Sequence, residues 1–186
     1  MIPIYQIIVN EDSEVQAIAL TDVPAIEEKF VAFSKQHKVY FNDERRIIIS
    51  PLLIPDQLIY RFDDMGEYYL YADKAAIQKV ASKLFGRKIL INKEHTSQVF
   101  DNVYLISVFF SDEQLGVKAP EYFNYLPDGT LYVAIKIDND DAWQMVKSGE
   151  FTGISIEGIF SIEKKQNEQQ ANVAASNEEL EKLFRI

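Results

Sequence analysis

The 186-residue sequence lacks cysteine and contains only two histidines and one tryptophan. Without cysteine there can be no disulfide framework, no thiolate nucleophile and no Cys-ligated zinc site. No apolar run approaches the ~20 residues that a membrane-spanning helix needs, and the N-terminus has neither the basic region nor the cleavage site of a signal peptide. We therefore expect a soluble, unexported protein without a membrane partner.

Positive charge is also scarce, since 19 Lys and Arg stand against 29 Asp and Glu, giving a net charge of −10 at pH 7. Binding to a phosphate backbone depends on clustered Lys and Arg, so we expect no nucleic-acid partner. The sequence has no phosphate-binding glycine loop, dinucleotide fingerprint or His-Glu-x-x-His motif. The acidic run Asp138-Asn139-Asp140-Asp141 lacks the Gly and the distal Glu of a calcium loop. We expect neither a cofactor nor a metal.

The apolar segments are short and rich in β-branched and aromatic residues, which is typical of strands. Hydrophobic residues make up 47% of the chain and aromatic residues 12%. A chain of this length supports one domain with its own core. The sequence therefore predicts an α+β fold, a β-rich single domain. The predicted strands are Ile4–Val9, Ala17–Leu20, Arg46–Leu53, Leu58–Phe62, Tyr68–Ala72, Val103–Phe110 and Leu131–Ile137, with a further strand, Thr152–Ile162, near the end.

Two helices interrupt this pattern. Helical spacing of apolar residues predicts one over Lys74–Phe85, with Asp73 as its N-cap and Gly86 at its C-terminal end. A shorter helix, capped by Asp140 or Asp141 and ended by Gly149, leads directly into the Thr152–Ile162 strand.

The C-terminal region changes composition. Residues 1–163 form the predicted domain, and residues 164–177 are polar with no periodic apolar face, as in a linker. The pattern Ser176-Asn177-Glu178-Glu179 resembles a capping box and predicts a short helix over 178–186. Its apolar residues Leu180, Leu183 and Phe184 lie on one side, so we expect the helix to dock on its own domain or on a partner.

A serine between glycines, in Gly153-Ile-Ser155-Ile-Glu157-Gly158, is the strongest candidate for chemistry. A serine hydroxyl needs a neighbouring base to become a nucleophile, and histidine is best suited to that at neutral pH. His95 follows a strand-like run, whereas His37 lies in a charged stretch and is expected to be solvated. Polar-out alternation in a strand explains Ser155 and Glu157 without catalysis, and the segment is not a Gly-x-Ser-x-Gly nucleophile elbow. Both readings stay open on spacing alone.

Four segments together resemble the prohead maturation proteases of tailed bacteriophages, in particular the phage serine proteases of the defective-prophage type. The match covers about residues 15 to 163, in order. The segments are the strand ending in Asp22-Val-Pro24-Ala25, the block Pro55-Asp56-Gln-Leu-Ile59-Tyr60-Arg61, the block Asn92-Lys-Glu-His95, and the stretch from Leu126 through Trp143 and Gly149 to Gly158.

This resemblance implies a serine endopeptidase related in fold to the herpesvirus assemblins, a closed or partly closed β-barrel with flanking helices. By analogy, Ser155 is the nucleophile and His95 the general base. The third triad member is not fixed by a motif. Glu157 shares the strand face of Ser155 and ranks first, with Asp101 and Glu14 as alternatives, and the oxyanion hole has no sequence signature.

The resemblance also implies where the protein acts. Such enzymes process scaffold and major capsid protein, and often themselves, inside the immature capsid in the host cytoplasm. The polar stretch Gln166–Asn177 is the expected site of self-cleavage, and a homodimer is expected by analogy with assemblins. The alternative is a catalytically silent scaffold or capsid-assembly protein that retains the fold. A generic esterase is disfavoured by the missing elbow.

Overall fold

The computed structural model describes residues 2–21, 39–85, 89–165, 172–173 and 175–180. The Asp22–Ala25 segment, His37, Gly86, Leu183 and Phe184 lie outside these residues. The named strands are β1 (Ile4–Ile8), β2 (Glu14–Thr21), β3 (Tyr40–Asn42), β4 (Ile47–Leu53), β5 (Ile59–Asp63), β6 (Gly66–Tyr71), β7 (Leu90–Lys93), β8 (Val103–Phe110), β9 (Leu131–Ile137), β10 (Gly153–Ile159) and β11 (Ser161–Lys164). The helices are α1 (Lys74–Leu84), α2 (Asp140–Ser148) and a 3-10 turn at Glu121–Phe123.

The described strands form three sheets, with orders β11-β1-β6-β5, β10-β2-β7 and β3-β4-β9-β8. Their inner faces and the two α-helices share one main hydrophobic core. The expected β-rich α+β single domain is confirmed. Over the described residues no sheet closes on itself, so the barrel part of the expectation is not confirmed.

The three-stranded sheet has β2 in its middle, antiparallel to β10 and parallel to β7. Its core face carries Ile154, Ile18 and Ile91, all buried in the main core. Because successive side chains of a strand point to opposite faces, the neighbours of these isoleucines face away from the core. On that outer face the register places Ser155 beside Ala19, and Ala19 beside Asn92.

Helix α2 delivers the chain into β10, as predicted. Gly149 ends the helix in the left-handed conformation, φ 78°, and its N–H donates to the carbonyls of Met145 and Val146. The N-cap is Asn139, whose side chain accepts from the Ala142 N–H at 2.9 Å, and not Asp140 or Asp141 as expected. The two aspartates instead occupy the first turn, where their negative charge interacts favourably with the positive end of the helix dipole.

Some strand boundaries differ from the sequence pattern. The predicted strand Thr152–Ile162 is two strands, because β10 pairs with β2 whereas β11 leaves it to pair with β1. The exposed three-residue strand β3 was not predicted. By contrast, β8 and β9 have the predicted bounds, and Asp73 caps α1 by accepting from the Ala76 N–H.

The C-terminal residues 172–173 and 175–180 have helical backbone. The Asn177 Oδ1 accepts a hydrogen bond from the Leu58 N–H at 2.9 Å. Leu180 is buried, 6% exposed, in a second cluster with Ile54, Phe123 and Leu126. This part of the tail therefore packs on its own domain, while the division at residues 163 and 177 stays a prediction. No helix of the described residues is long and apolar enough to cross a membrane.

We predict that Leu180→Ala lowers the free energy of unfolding by about 2–4 kcal/mol, because it removes buried methyl groups and leaves a cavity. Urea denaturation measures the change. The matched control is Leu115→Ala, whose side chain is 73% exposed; we expect it to lie within about 0.5 kcal/mol of wild type. Equal stability of the two variants would show that the tail is not anchored through Leu180.

Candidate active site

Ser155 lies in the middle of β10 and faces away from the main core. The residue is only 2% exposed. Its Oγ has no hydrogen-bond partner among the described residues. A buried hydroxyl without a partner costs about 1–3 kcal/mol of folding free energy, so this serine is poorly explained as a structural residue.

Small side chains on β2 form the floor next to Ser155. Ala19 lies opposite Ser155 and Ala17 lies opposite Glu157 in the β10–β2 register. Both alanines are buried, and each presents only a methyl group on this face. Long side chains from β10 and β7 can therefore meet across β2, although the two strands are not adjacent. A Leu or Phe at either position would separate them.

His95 lies in a tight reversal directly after β7. Glu94 and His95 both have left-handed backbone, φ 50° and 55°. The turn is closed by backbone hydrogen bonds from Lys93 N to the Gln98 carbonyl and from Thr96 N to the Lys93 carbonyl, each 2.9 Å. Non-glycine residues with positive φ cluster at functional sites, where the surrounding structure holds the strain.

Glu94 ties this reversal to the middle strand. Its N–H donates to the Leu20 carbonyl at 3.1 Å, and its Oε2 accepts from the Thr21 hydroxyl at 2.8 Å. The end of β2 therefore fixes the position from which His95 projects.

Glu157 joins β10 to the His95 reversal. Its Oε1 lies 2.9 Å from His95 Nδ1 and also accepts a hydrogen bond from Asn92 Nδ2 at 2.7 Å. Since a carboxylate only accepts, the imidazole contributes its Nδ1–H, which in the neutral ring leaves Nε2 as a proton acceptor. The His95 side chain is 40% exposed and that of Glu157 29%, so the pair can be reached from solvent.

The other two acids considered as triad members lie elsewhere. Asp101 precedes β8, and its carbonyl accepts from the Asn139 side chain at 3.2 Å. Glu14 begins β2 opposite Ile159, at the far end of the register from Ser155. Of the three acids, Glu157 is the one whose carboxylate contacts the imidazole.

Ser155 and His95 are not hydrogen-bonded to each other, since Ser155 Oγ has no partner among the described residues. They nevertheless share the outer face, because Glu157 lies two residues from Ser155 on the same strand and holds the imidazole. Glu157 and His95 are thus in contact, and Ser155 lies two residues from Glu157 on the same strand. Catalytic hydrogen bonds are often long or unmade before substrate binds.

A second set of contacts holds the His95 reversal against the entry to β10. Lys93 Nζ lies 3.1 Å from Glu150 Oε1 and 5.7 Å from the centre of the Phe151 ring. Phe151 packs edge-to-face on Phe100, with ring centres 5.9 Å apart. These contacts hold the His95 reversal against the residues that precede β10.

Gly158 is required by the local packing of the backbone. The β10–β2 register shifts between Glu157 and Gly158, which is a β-bulge. A Cβ on Gly158 would lie 2.4 Å from the Glu14 carbonyl oxygen. The bulge directly follows Glu157, and bulges commonly re-aim a neighbouring side chain.

Asn92 was not singled out from the sequence as a site residue. The available signal was its place after the core-facing Ile91, which puts it on the outer face, and three residues before His95. Within the described ranges no group of three His, Asp or Glu side chains could hold a metal ion. The expectation of no metal and no cofactor stays a prediction.

A buried serine, a histidine and a carboxylate that binds Nδ1 are the side chains of a serine hydrolase site. A family model described as "Putative phage serine protease XkdF" matches residues 38–163, more than half of the chain. The chain belongs to this phage serine protease family. The matched region contains Asn92, His95, Ser155 and Glu157, but not the Asp22–Ala25 segment. No curated protein and no solved structure matches the chain.

We predict that Gly158→Ala lowers the free energy of unfolding by about 1–3 kcal/mol, because the new methyl group collides with the backbone of β2. Chemical denaturation measures the effect. The control is Ile159→Ala, at a neighbouring side chain that is 58% exposed; we expect a change within about 0.5 kcal/mol. A Gly158→Ala variant as stable as wild type would show that the bulge can relax.

Proposed function

We propose that this protein is a serine endopeptidase in which Ser155 is the nucleophile, His95 the general base and Glu157 the residue that orients the base. The observation that carries the proposal is the 2.9 Å contact between His95 Nδ1 and Glu157 Oε1, on the sheet face that also bears Ser155. Membership in the phage serine protease family supports the same reaction.

In this mechanism His95 Nε2 takes the proton from Ser155 Oγ while the oxygen attacks the scissile carbonyl. Glu157 stabilises the imidazolium that forms and keeps Nε2 directed at the serine. The imidazolium then donates its proton to the leaving amine, the acyl-enzyme forms, and a water activated by the same imidazole releases the acid product. The required approach of His95 to Ser155 accompanies substrate binding.

The proposed substrates are the scaffold and major capsid proteins of a phage, cleaved inside the immature capsid in the host cytoplasm. The family description supports a phage protease. The four-segment resemblance to prohead maturation proteases, and through them to herpesvirus assemblins, supports capsid processing in particular. A homodimer belongs to the same proposal, by analogy with assemblins.

One observation favours the alternative, a silent assembly protein that retains the protease fold. Ser155 Oγ makes no hydrogen bond to His95 or to any other described residue. A serine that never meets its base would leave the fold intact and the reaction absent. The two proposals therefore differ in whether the Ser155–His95 contact forms, which mutation can test.

We predict that Ser155→Ala and His95→Ala each reduce cleavage of co-expressed scaffold and major capsid protein by on the order of 10³-fold or more. Glu157→Gln should reduce it by on the order of 10²-fold or more, because the amide no longer stabilises the imidazolium. Gel analysis of the processed products measures the rates.

The matched controls are Ser161→Ala, at an exposed serine of β11, and His37→Ala. Both should process at the wild-type rate. If wild type and Ser155→Ala leave the substrates equally intact, the assembly role replaces the protease. If Ser155→Ala cleaves as wild type does, another residue is the nucleophile.

We also predict self-cleavage between β11 and the helical tail, in residues 165–171 of the predicted linker. The helical backbone at 172–173 and 175–180 disfavours a cut there, since proteolysis concentrates in exposed, irregular segments. Intact-mass spectrometry after long incubation should show loss of the C-terminal fragment from wild type and not from Ser155→Ala. Identical intact masses for the two proteins would contradict the prediction.

A further inference from the structure

We propose that Asn92 is a positioning residue that fixes the Glu157 carboxylate and, through it, the tautomer of His95. The inference rests on the proposed function of Glu157 and His95, and it adds a residue that neither the sequence motifs nor the serine-histidine-acid pattern assigns. Among the described residues, Asn92 Nδ2 donates to Glu157 and not to Ser155 or His95, so its effect is indirect.

Asn92 and His95 both contact the same oxygen of Glu157. Glu157 Oε1 accepts from Asn92 Nδ2 at 2.7 Å and from His95 Nδ1 at 2.9 Å. Glutamate has three side-chain torsions, and its terminal torsion is broad. A single contact with a half-exposed imidazole would leave the carboxylate mobile, whereas a second donor from a buried amide restricts it.

Asn92 is held in place by its strand neighbours. It is 4% exposed and lies in β7, with its Cα paired to Ala19 on one side and bridged to Val99 on the other. The backbone that carries the amide is therefore held by neighbours on both sides. A rigid donor is what an orienting residue needs, since misplacement by about 1 Å can cost on the order of 10²-fold in rate.

The Asn92 amide is only partly satisfied by hydrogen bonds. Asn92 Oδ1 is buried and has no hydrogen-bond partner among the described residues. An unpaired buried acceptor opposes folding. The hydrogen bond from Nδ2 to Glu157 accounts for an amide at this position.

The remaining charged groups around the His95 reversal are engaged with other partners. Lys93 pairs with Glu150 at 3.1 Å, and the Glu94 carboxylate accepts from the Thr21 hydroxyl. Both side chains thus have partners other than the Glu157 carboxylate. Asn92 is therefore the neutral donor, set beside His95, that the structure assigns to that carboxylate.

Imidazole ¹⁵N NMR tests the inference without depending on activity, because the chain has only two histidines and His37→Gln assigns the second. At a pH where the ring is neutral, wild type should hold His95 as the Nδ1–H tautomer. In Asn92→Ala we expect the ratio of Nδ1–H to Nε2–H tautomer to fall at least threefold, because the carboxylate is released.

Asn92→Asp is the second variant, with nearly the same shape and a charge added beside Glu157. The added carboxylate repels that of Glu157, so the ratio of Nδ1–H to Nε2–H tautomer should fall in this variant as well. The matched control is Asn177→Ala, which removes another buried asparagine that binds a backbone N–H. It should leave the tautomer ratio unchanged.

Peptidase assays of the same proteins separate this inference from the proposed function. If Ser155→Ala abolishes cleavage, Asn92→Ala should lower kcat by on the order of 10–100-fold with little change in KM. A wild-type tautomer ratio in both Asn92 variants would overturn the inference even if the protein is a protease. A shifted ratio in a protein without Ser155-dependent cleavage would uphold the positioning role and refute the proposed function.

Discussion

The Glu157 carboxylate is the contact on which the site depends. It stands on β10, yet one of its oxygens accepts from Asn92 on β7 and contacts His95 in the reversal that follows. These two strands are separated by β2 and have no backbone hydrogen bonds with each other. Without this side-chain link the imidazole would have no fixed relation to Ser155, since the backbone alone brings the two only to the same face.

That link requires small residues on the strand between. Two alternate residues of β2, Ile18 and Leu20, face the core as large apolar side chains, and both are fully buried. The alternate positions on the same strand are Ala17 and Ala19, which satisfy the outer face with a methyl group each. This part of β2 thus has large side chains on its core face and small side chains on the face of the site. This two-residue alternation follows from the pleat of a strand.

The sequence predicted those features that depend on local pattern. The strand alternation around Ser155, the caps at Asp73 and Gly149, and the helix feeding β10 all follow from residue type and spacing. The choice of Glu157 over Asp101 and Glu14 rested on the same alternation, and the structure brings Glu157 alone of the three to the imidazole.

Features that depend on sheet order could not be predicted in the same way. A parallel pairing of β2 with β7 joins residues about 70 positions apart, and no local signal specifies it. The role of Asn92 depends on that pairing, and so does the use of Ala17 and Ala19 as a floor. The break between β10 and β11 likewise depends on which strand each one joins.

The proposed protease and the proposed silent assembly protein differ in whether His95 reaches Ser155. Glu157 is hydrogen-bonded to Asn92, and Ser155 is buried on a paired strand. His95 is the exposed member, 40% by side chain, on a reversal whose backbone is closed by its own hydrogen bonds. In the proposed mechanism the approach of Nε2 to Ser155 is therefore assigned to the His95 side chain.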